Sequence, residues 1–558
     1  MRIIRSPAGS IVVALGLAAA VGLLTALPAA AQSFRVQCPT STITHPVAAN
    51  NNAEPAYAGP TTFAPGANNY LVPQANVNGA IRCQQISGGD GFATMADGTQ
   101  TYMFSFGPLS GIADIAAGRP GTEFPFVFNA VYPGTLVPGD PATTDAPATP
   151  VPGPLTAPAF TFNGAIGLAP DGDNNNAIDG HVDPRQIEDV GVMNGNIPAP
   201  LMAIDEDDEF FLTLTNVGMI MRPDLFEQHT VHFHGYPNAS SFYDGVPDAS
   251  VAINIGGSFT YYYLAPDAGT YFWHCHITPP EHLQMGMVGQ IYVRPRQNRV
   301  ANGTDLYTSL QWQEEDLRTA CNTAADIMCS NPLPKVNTGA TQTLDANVAP
   351  SRPYRYAYND GDGTTSYDVG YPLQIHGFDP NFHFIGMTFN AEPFVDMKDK
   401  YFLLNGRSYP DTATAGPIET QTSDGAYHFS QPLPAIVNIP KGGRVLLRIS
   451  DLDVTEFQTL ASLGIPMTVI ARNAKLLRDQ AGNNMYYKTN SITLGGGESL
   501  DVILDASDTT KFAPGSTFFL YTPNLDHLSN DAENFGGLMT EVHICSGTVD
   551  LATKACST

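Results

Sequence analysis

Along this chain, short runs rich in β-branched and aromatic residues recur between clusters of Gly, Pro, Asn and Asp. Thr101–Phe106, Glu209–Leu214, Ser258–Tyr263, Val445–Ile449 and Thr517–Tyr521 are such runs. Strands whose alternate side chains face opposite ways, punctuated by turn residues, predict an all-β chain of packed sheets. No long stretch keeps the period of a helix. The pattern divides the chain as follows: a leader over 1–31, a polar Asn/Ala/Pro-rich lead-in over 32–90, a first sandwich over 91–296, a linker over 297–350, and a second sandwich over 351–558. The first sandwich opens on a strand near 101–107 and carries a Pro/Gly/Ala/Thr-rich insertion at about 110–190, read as long loops.

The leader changes the setting. Arg2 and Arg5 precede an apolar stretch from Ile11 to Leu27, and Ala29, Ala30 and Ala31 form a small-residue cleavage site before Gln32. This is the pattern of a secretory signal, and the separated arginines argue against a twin-arginine signal. No later run is long and apolar enough to span a membrane. The expected location is periplasmic or secreted. With 26 basic and 53 acidic residues, the net charge of -27 argues against nucleic acid or an anionic membrane surface as partner.

Seven cysteines sharpen this. Cys38–Cys83, Cys321–Cys329 and Cys545–Cys556 are neighbours in sequence and are expected to be disulfides, although six cysteines allow fifteen pairings. Cys275 is left over, between two histidines. A thiol that stays reduced in an oxidising compartment needs a reason, and a metal is the best one.

Of 13 histidines, six lie between His229 and His282. One cluster is His229, His232 and His234 followed by Gly235; the other is His274-Cys275-His276, then His282, Met285 and Met287. On strands, alternate residues share a face. His232, His234, His274 and His276 therefore make one four-imidazole environment. His229, Cys275, His282 and a methionine make another. Two imidazoles, a thiolate and a thioether are the ligands of a blue copper site. The two environments meet at Cys275, giving an electron a short covalent route from sulfur to the flanking imidazoles.

At these residues the chain resembles the multicopper oxidases. The resemblance implies that His229, Cys275, His282 and Met287 bind type 1 copper, with Met285 a weaker axial candidate. It implies that His232, His234, His274 and His276 belong to a type 2/type 3 cluster that reduces dioxygen. "NGNIPAPLMAIDEDDEFFLTLTN" at 194–216, "YDGVP" at 243–247 and "GTYFW" at 269–273 resemble the N-terminal cupredoxin domain, and Asp244 stands where some members place a proton-relaying acid. "FLLNGRSYPDT" at 402–412, "GIPMTVIARNAKLL" at 464–477 and "GGESLDVIL" at 496–504 resemble a second domain. The resemblance thus implies two Greek-key cupredoxin-like sandwiches.

Two features depart from the family. Thr278-Pro279-Pro280-Glu281 lengthens the loop from Cys275 to His282. A complete cluster also needs eight histidines, and the second domain supplies none at the matching positions: Gln458, Ala461 and Leu463 stand in one run, Leu525-Asp526-His527 in the other, and Leu538 at the axial position. The missing ligands are expected from a homo-oligomer in which two four-imidazole faces meet about a twofold axis. His376, His383 and His527 are outlying alternatives. His45, His181, His428 and His543 lack paired spacing and are read as surface or hydrogen-bonded residues.

Two rival readings stand beside the oxidase. A copper nitrite-reductase-like enzyme also pairs type 1 copper with a second copper at a subunit interface, but carries an acid at the His232 position and no histidine at the His276 position. A cupredoxin electron carrier or copper-binding protein would leave the four imidazoles without a complete cluster. The reducing substrate is not legible; phenols, cuprous, ferrous or manganous ions and a redox protein all fit. Separately, Asp171, Asp173, Asn175 and Asp179 follow the rhythm of a calcium loop, although its usual glycine and final acid are replaced by Asn176 and Val182.

Overall fold

The computed structural model describes residues 38–129, 191–313, 332–343 and 356–557, apart from 68, 192, 237–239, 266, 387–392 and 422–426. The expected leader, the calcium-loop run at Asp171–Asp179 and the Cys321–Cys329 pair lie outside them. Two β-sandwiches hold most of the described strands.

The first sandwich packs two four-stranded sheets. One has the order Gln100–Pro108, Ile81–Thr94, Glu209–Gly218, Ser258–Leu264; the other has Met202–Asp205, Val288–Arg294, Gly269–His274, His232–His234. Alternation explains the packing. Phe210, Leu212 and Leu214 enter a core shared with Phe104, Phe106, Phe233, Tyr261 and Trp273. Between them, Thr213 and Thr215 pair across the strands with Thr260 and Ser258, Oγ to Oγ, at 2.8 and 2.6 Å. Each sheet contains one parallel pair, Ile81–Thr94 beside Glu209–Gly218 and Met202–Asp205 beside Val288–Arg294. Such pairs require crossover connections rather than hairpins.

The expected opening of this sandwich near 101–107 is corrected by the strand Ile81–Thr94, which lies inside the sheet and begins within the segment read as lead-in. Its Ser-Gly-Gly-Asp-Gly interior has the composition of a turn. The glycines serve close packing instead: a Cβ on Gly88 would sit 2.7 Å from the His229 ring. Cys38–Cys83 ties the lead-in to this strand, and Cys545–Cys556 closes the C-terminal loop.

The second sandwich has a five-stranded and a nine-stranded sheet. Leu373, Ile375, Leu447, Val469, Val502, Leu520 and Val542 fill its core, and Leu538 is a fully buried part of it. The strands Gly269–His274 and Val288–Arg294 of the first sandwich pack on the second through polar contacts. Thr270 Oγ1 donates to Asp501 at 2.5 Å, Ser499 Oγ donates to the Thr270 carbonyl at 2.8 Å, and Gln290 Nε2 donates to the Arg448 carbonyl at 3.0 Å. This interface brings the second sandwich up to the histidines.

Candidate metal centre

His232–His234 pairs antiparallel with Gly269–His274, so that His232 lies opposite His274 and Phe233 opposite Trp273. Phe233 and Trp273 turn into the core, and the imidazoles take the other face, as the strand period demands. Ring centroids of His232 lie 5.6, 5.2 and 5.1 Å from those of His234, His274 and His276. The His274 and His276 rings stack at 5.8 Å. One ligand atom each from His232, His234 and His274 falls within 4.8 Å of the others.

Hydrogen bonds fix the tautomers. His232 Nδ1 donates to the main-chain oxygen of Asp244 at 2.6 Å, and His274 Nδ1 donates to the Cys275 carbonyl at 2.8 Å. Both rings therefore turn an Nε2 lone pair toward the pocket, the form that binds metals. Asp244 is held close by Gly245 (φ 73°), where a Cβ would meet the Val231 carbonyl at 2.0 Å. The Asp244 carboxylate lies 3.4 Å from the same His232 nitrogen. Burial, reinforced by the neighbouring imidazoles, pushes His274 down to about 3 and His234 down to about 4, so these rings are neutral near pH 7.

On the other side of the strand, His229, Cys275 and His282 are fully buried and offer ligand atoms within 4.8 Å of one another. His282 stands on the short helix Pro279–Gln284, which is built by the lengthened loop. Its Nδ1 lies 3.3 Å from the Cys275 sulfur, and its Nε2 lies 3.3 Å from a Glu227 carboxylate oxygen. The Thr230 amide points at the same sulfur from 3.4 Å. Burial works against the charged forms, but the two groups oppose it together. His282 and His229 carry the Cys275 thiol well below its ordinary range, and the sulfur and Glu227 carry His282 up to about 10. The sulfur is thus held as thiolate, the form that binds a soft metal.

His229 supplies a further test of fit. Among the described residues neither of its ring nitrogens has a hydrogen-bond partner, although the residue is completely buried. An orphaned buried imidazole beside a thiolate and a second imidazole is what a copper ligand set requires, and copper fits these residues. Met287 is fully buried in the same core, and its carbonyl accepts from the Cys275 amide at 3.2 Å. Met285 is directed elsewhere: a Cβ on Gly386 of the second sandwich would lie 3.3 Å from its sulfur.

The outlying histidines do not join either set. His376 Nδ1 meets the Leu452 carbonyl at 3.1 Å, His383 lies between the Tyr102 and Gln284 carbonyls at 2.5 and 2.9 Å, and His527 lies between Gln458 and Glu456 at 2.9 and 3.0 Å. His45 pairs with Glu209 at 2.6 Å. A third acidic group, Glu54, Asp205 and Asp208, meets Arg82 and Arg294 at 2.8 and 2.6 Å and is an ion network.

Several functional neighbours escape sequence reasoning. His234 and His274 open on a cavity of about 480 Å³ whose far wall is the second sandwich, including Asp453, Thr455, Glu456 and Gly495–Gly497. Asp453 shares Thr455 Oγ1 with the buried Asp399. Asp399 accepts from Gln284 Nε2 at 2.9 Å, and Gln284 lies between His282 and Met287. Burial and the nearby Asp453 hold the Asp399 carboxyl well above its usual range. Glu227 had a cue in sequence, two residues before His229; the carboxylates of the second sandwich had none.

Residues 177–298 match the family model described as multicopper oxidase. A laccase of Aspergillus fumigatus is 34% identical over 109 residues, 19% of this chain and 17% of that protein. A copper-containing nitrite reductase of Rhizobium meliloti is 35% identical over 109 residues, 19% of this chain and 26% of that protein. The chain thus spans about a fifth of the length of the first curated relatives it matches. Among solved structures, a blue copper oxidase from Nitrosomonas europaea aligns with 83% of this chain and 86% of its own, at 16% identity and a TM-score of 0.45. Over residues 177–298, this chain is similar to the multicopper oxidases.

Proposed function

We propose that the protein is an exported copper oxidase, periplasmic or extracellular, that takes single electrons from a small reducing substrate or metal ion and passes them to dioxygen. One observation carries this reading: the Cys275 sulfur and the His274 imidazole belong to two different ligand sets one residue apart. Copper at His229, Cys275, His282 and Met287, with copper at His232, His234, His274 and His276, would supply one-electron chemistry on one side of the strand and dioxygen reduction on the other. The disulfides, and the lack of a long apolar helix among the described residues, accord with export.

The chain's own residues then have definite tasks. Glu227 receives the outer nitrogen of His282 and sets the charge at the electron entry. Asp244 fixes the His232 ring and holds a carboxylate beside it. Asp453 and Glu456 face the cavity, and behind them Asp399, held well above its usual range, is a protonated reserve for dioxygen reduction. The histidine at position 232 and a second at 276 favour this reading over nitrite reduction.

The ligands missing from a full cluster come, in this reading, from a second copy about a twofold axis. His234 and His274 already open on a cavity walled by their own chain, so a second copy would meet the partly exposed His232 and His276 first. Copper counted per chain, spin resonance to separate blue from type 2 copper, solution mass, and dioxygen uptake with a phenol and with ferrous ion test the proposal together. Blue copper without dioxygen uptake would make the protein an electron carrier. A monomer with the full copper complement would remove the second copy.

Glu227 gives a sharper expectation. Its carboxylate is held below the ordinary range by its contact with His282. Glu227→Gln should raise the potential of the blue site and raise KM for a cationic donor about three- to tenfold, roughly 0.7–1.4 kcal/mol, as for a partly exposed charge pair. The KM for a neutral phenol should change by less than about twofold. Equal effects on both donors would show that Glu227 serves packing only.

A further inference from the structure

A second cavity, of about 370 Å³, lies away from the histidines at the junction of the two sandwiches. Four of the chain's 26 basic residues line it: Arg119, Arg294, Arg448 and Lys554. Asp368 is the one carboxylate among the described lining residues. In a protein of net charge -27, this concentration is opposite to the overall field. Arg119 and Arg294 each also reach an acid that does not line the cavity, Asp114 at 2.5 Å and Asp205 at 2.6 Å. Arg448 is less well matched. It is 2% exposed, and among the described residues its nearest carboxylate oxygen, on Asp501, is 3.8 Å from Nη1 and its Nη2 has no hydrogen-bond partner.

The rest of the lining is aromatic and aliphatic. The Arg448 guanidinium lies 4.6 Å from the centre of the Tyr292 ring, and Tyr367 lines the same cavity. Burial raises the Tyr292 hydroxyl while Arg294 and Arg448 both pull it down, so both arginines project positive potential there. A pocket of this size with an apolar lining and a few convergent charges suits a small organic ligand. Guanidinium groups pair with planar carboxylates in bidentate geometry.

We propose that this cavity binds a small aromatic carboxylate, with the ring between the tyrosines and the carboxylate toward Arg448 and Lys554. The lining comes from Tyr292 and Arg294 in the first sandwich, Tyr367 and Arg448 in the second, and Lys554 in the loop closed by Cys545–Cys556. A bound ligand therefore braces three parts of the molecule and raises the midpoint of thermal unfolding.

The test uses the copper-loaded full chain, with calorimetry and thermal unfolding. Benzoate is the probe, because it has no phenolic hydroxyl to donate electrons at the blue site. Benzoate is expected to bind and to raise the unfolding midpoint, whereas its neutral isostere benzamide binds at least tenfold more weakly. Lys554→Glu, at a partly exposed position, should weaken benzoate at least tenfold, and Asp368→Asn should tighten it. Opposite shifts in two variants are not what a folding defect produces. Benzamide binding as tightly as benzoate, or benzoate binding unmoved by Lys554→Glu, would overturn the site. Inorganic phosphate binding as tightly as benzoate would overturn the aromatic class of ligand.

Discussion

Replacing Cys275 by serine is expected to yield a folded, colourless protein that oxidises no donor at a measurable rate. The sulfur is fully buried, approached by His282 Nδ1 at 3.3 Å and by the Thr230 amide at 3.4 Å, and held as thiolate by the two imidazoles. Serine keeps nearly the same volume and can still accept from Thr230. The loss of stability should stay near 1–3 kcal/mol, the cost of a poorly satisfied buried hydroxyl. What disappears is the soft, strongly donating ligand, for which a neutral hydroxyl is no substitute. Electron transfer through residue 275 should fall at least about 1,000-fold, equivalent to about 4 kcal/mol of barrier. Visible absorption, copper per chain and dioxygen uptake measured on one preparation decide the matter. A blue, active Cys275→Ser protein would refute the assignment of the sulfur.

The reason so much of this site was legible lies in strand geometry. A strand repeats every two residues, so His232/His234 and His274/His276 declare their shared face directly, and Cys275 declares the opposite one. Cysteine parity isolated the same residue independently, and the disulfides Cys38–Cys83 and Cys545–Cys556 joined neighbours in sequence. The blank matching positions of the second sandwich were also legible: Leu538 fills the core, and Gln458 donates to Asp453 at 2.6 Å.

What stayed hidden depends on contacts between distant parts of the chain. Glycines in Ile81–Thr94 imitate a turn because composition does not reveal that His229 needs the space beside Gly88. Asp453 and Glu456 lie more than two hundred residues from His234 in sequence. Only the packing of Gly269–His274 on the second sandwich brings them to the same cavity. Gln284 is a similar case. Its position between His282 and Met287 says nothing about Asp399, yet that hydrogen bond couples the loop after Cys275 to the carboxylates facing the other pocket.

Removing His232 and His234 together separates the two pockets. In His232→Ala/His234→Ala the blue absorption should persist, because His229, Cys275, His282 and Met287 are untouched and Phe233 keeps the strand anchored in the core. Both imidazoles are partly exposed, so truncation opens no sealed cavity, and the cost in stability should not exceed about 1–2 kcal/mol. Two neutral donors vanish from the pocket shared with His274 and His276, and a metal there loses half of this chain's ligands. Dioxygen uptake should drop at least about 100-fold, near 2.7 kcal/mol. A chemical reductant should still bleach the blue site rapidly, because electron entry through His282 remains intact. Reoxidation by air should then become the slow step. Stopped-flow bleaching followed by reoxidation reads both halves in one experiment. If the variant reoxidises as fast as the parent, dioxygen is not reduced at the imidazole face. If it can no longer be bleached, the two pockets are not the separable units that the strand between them implies.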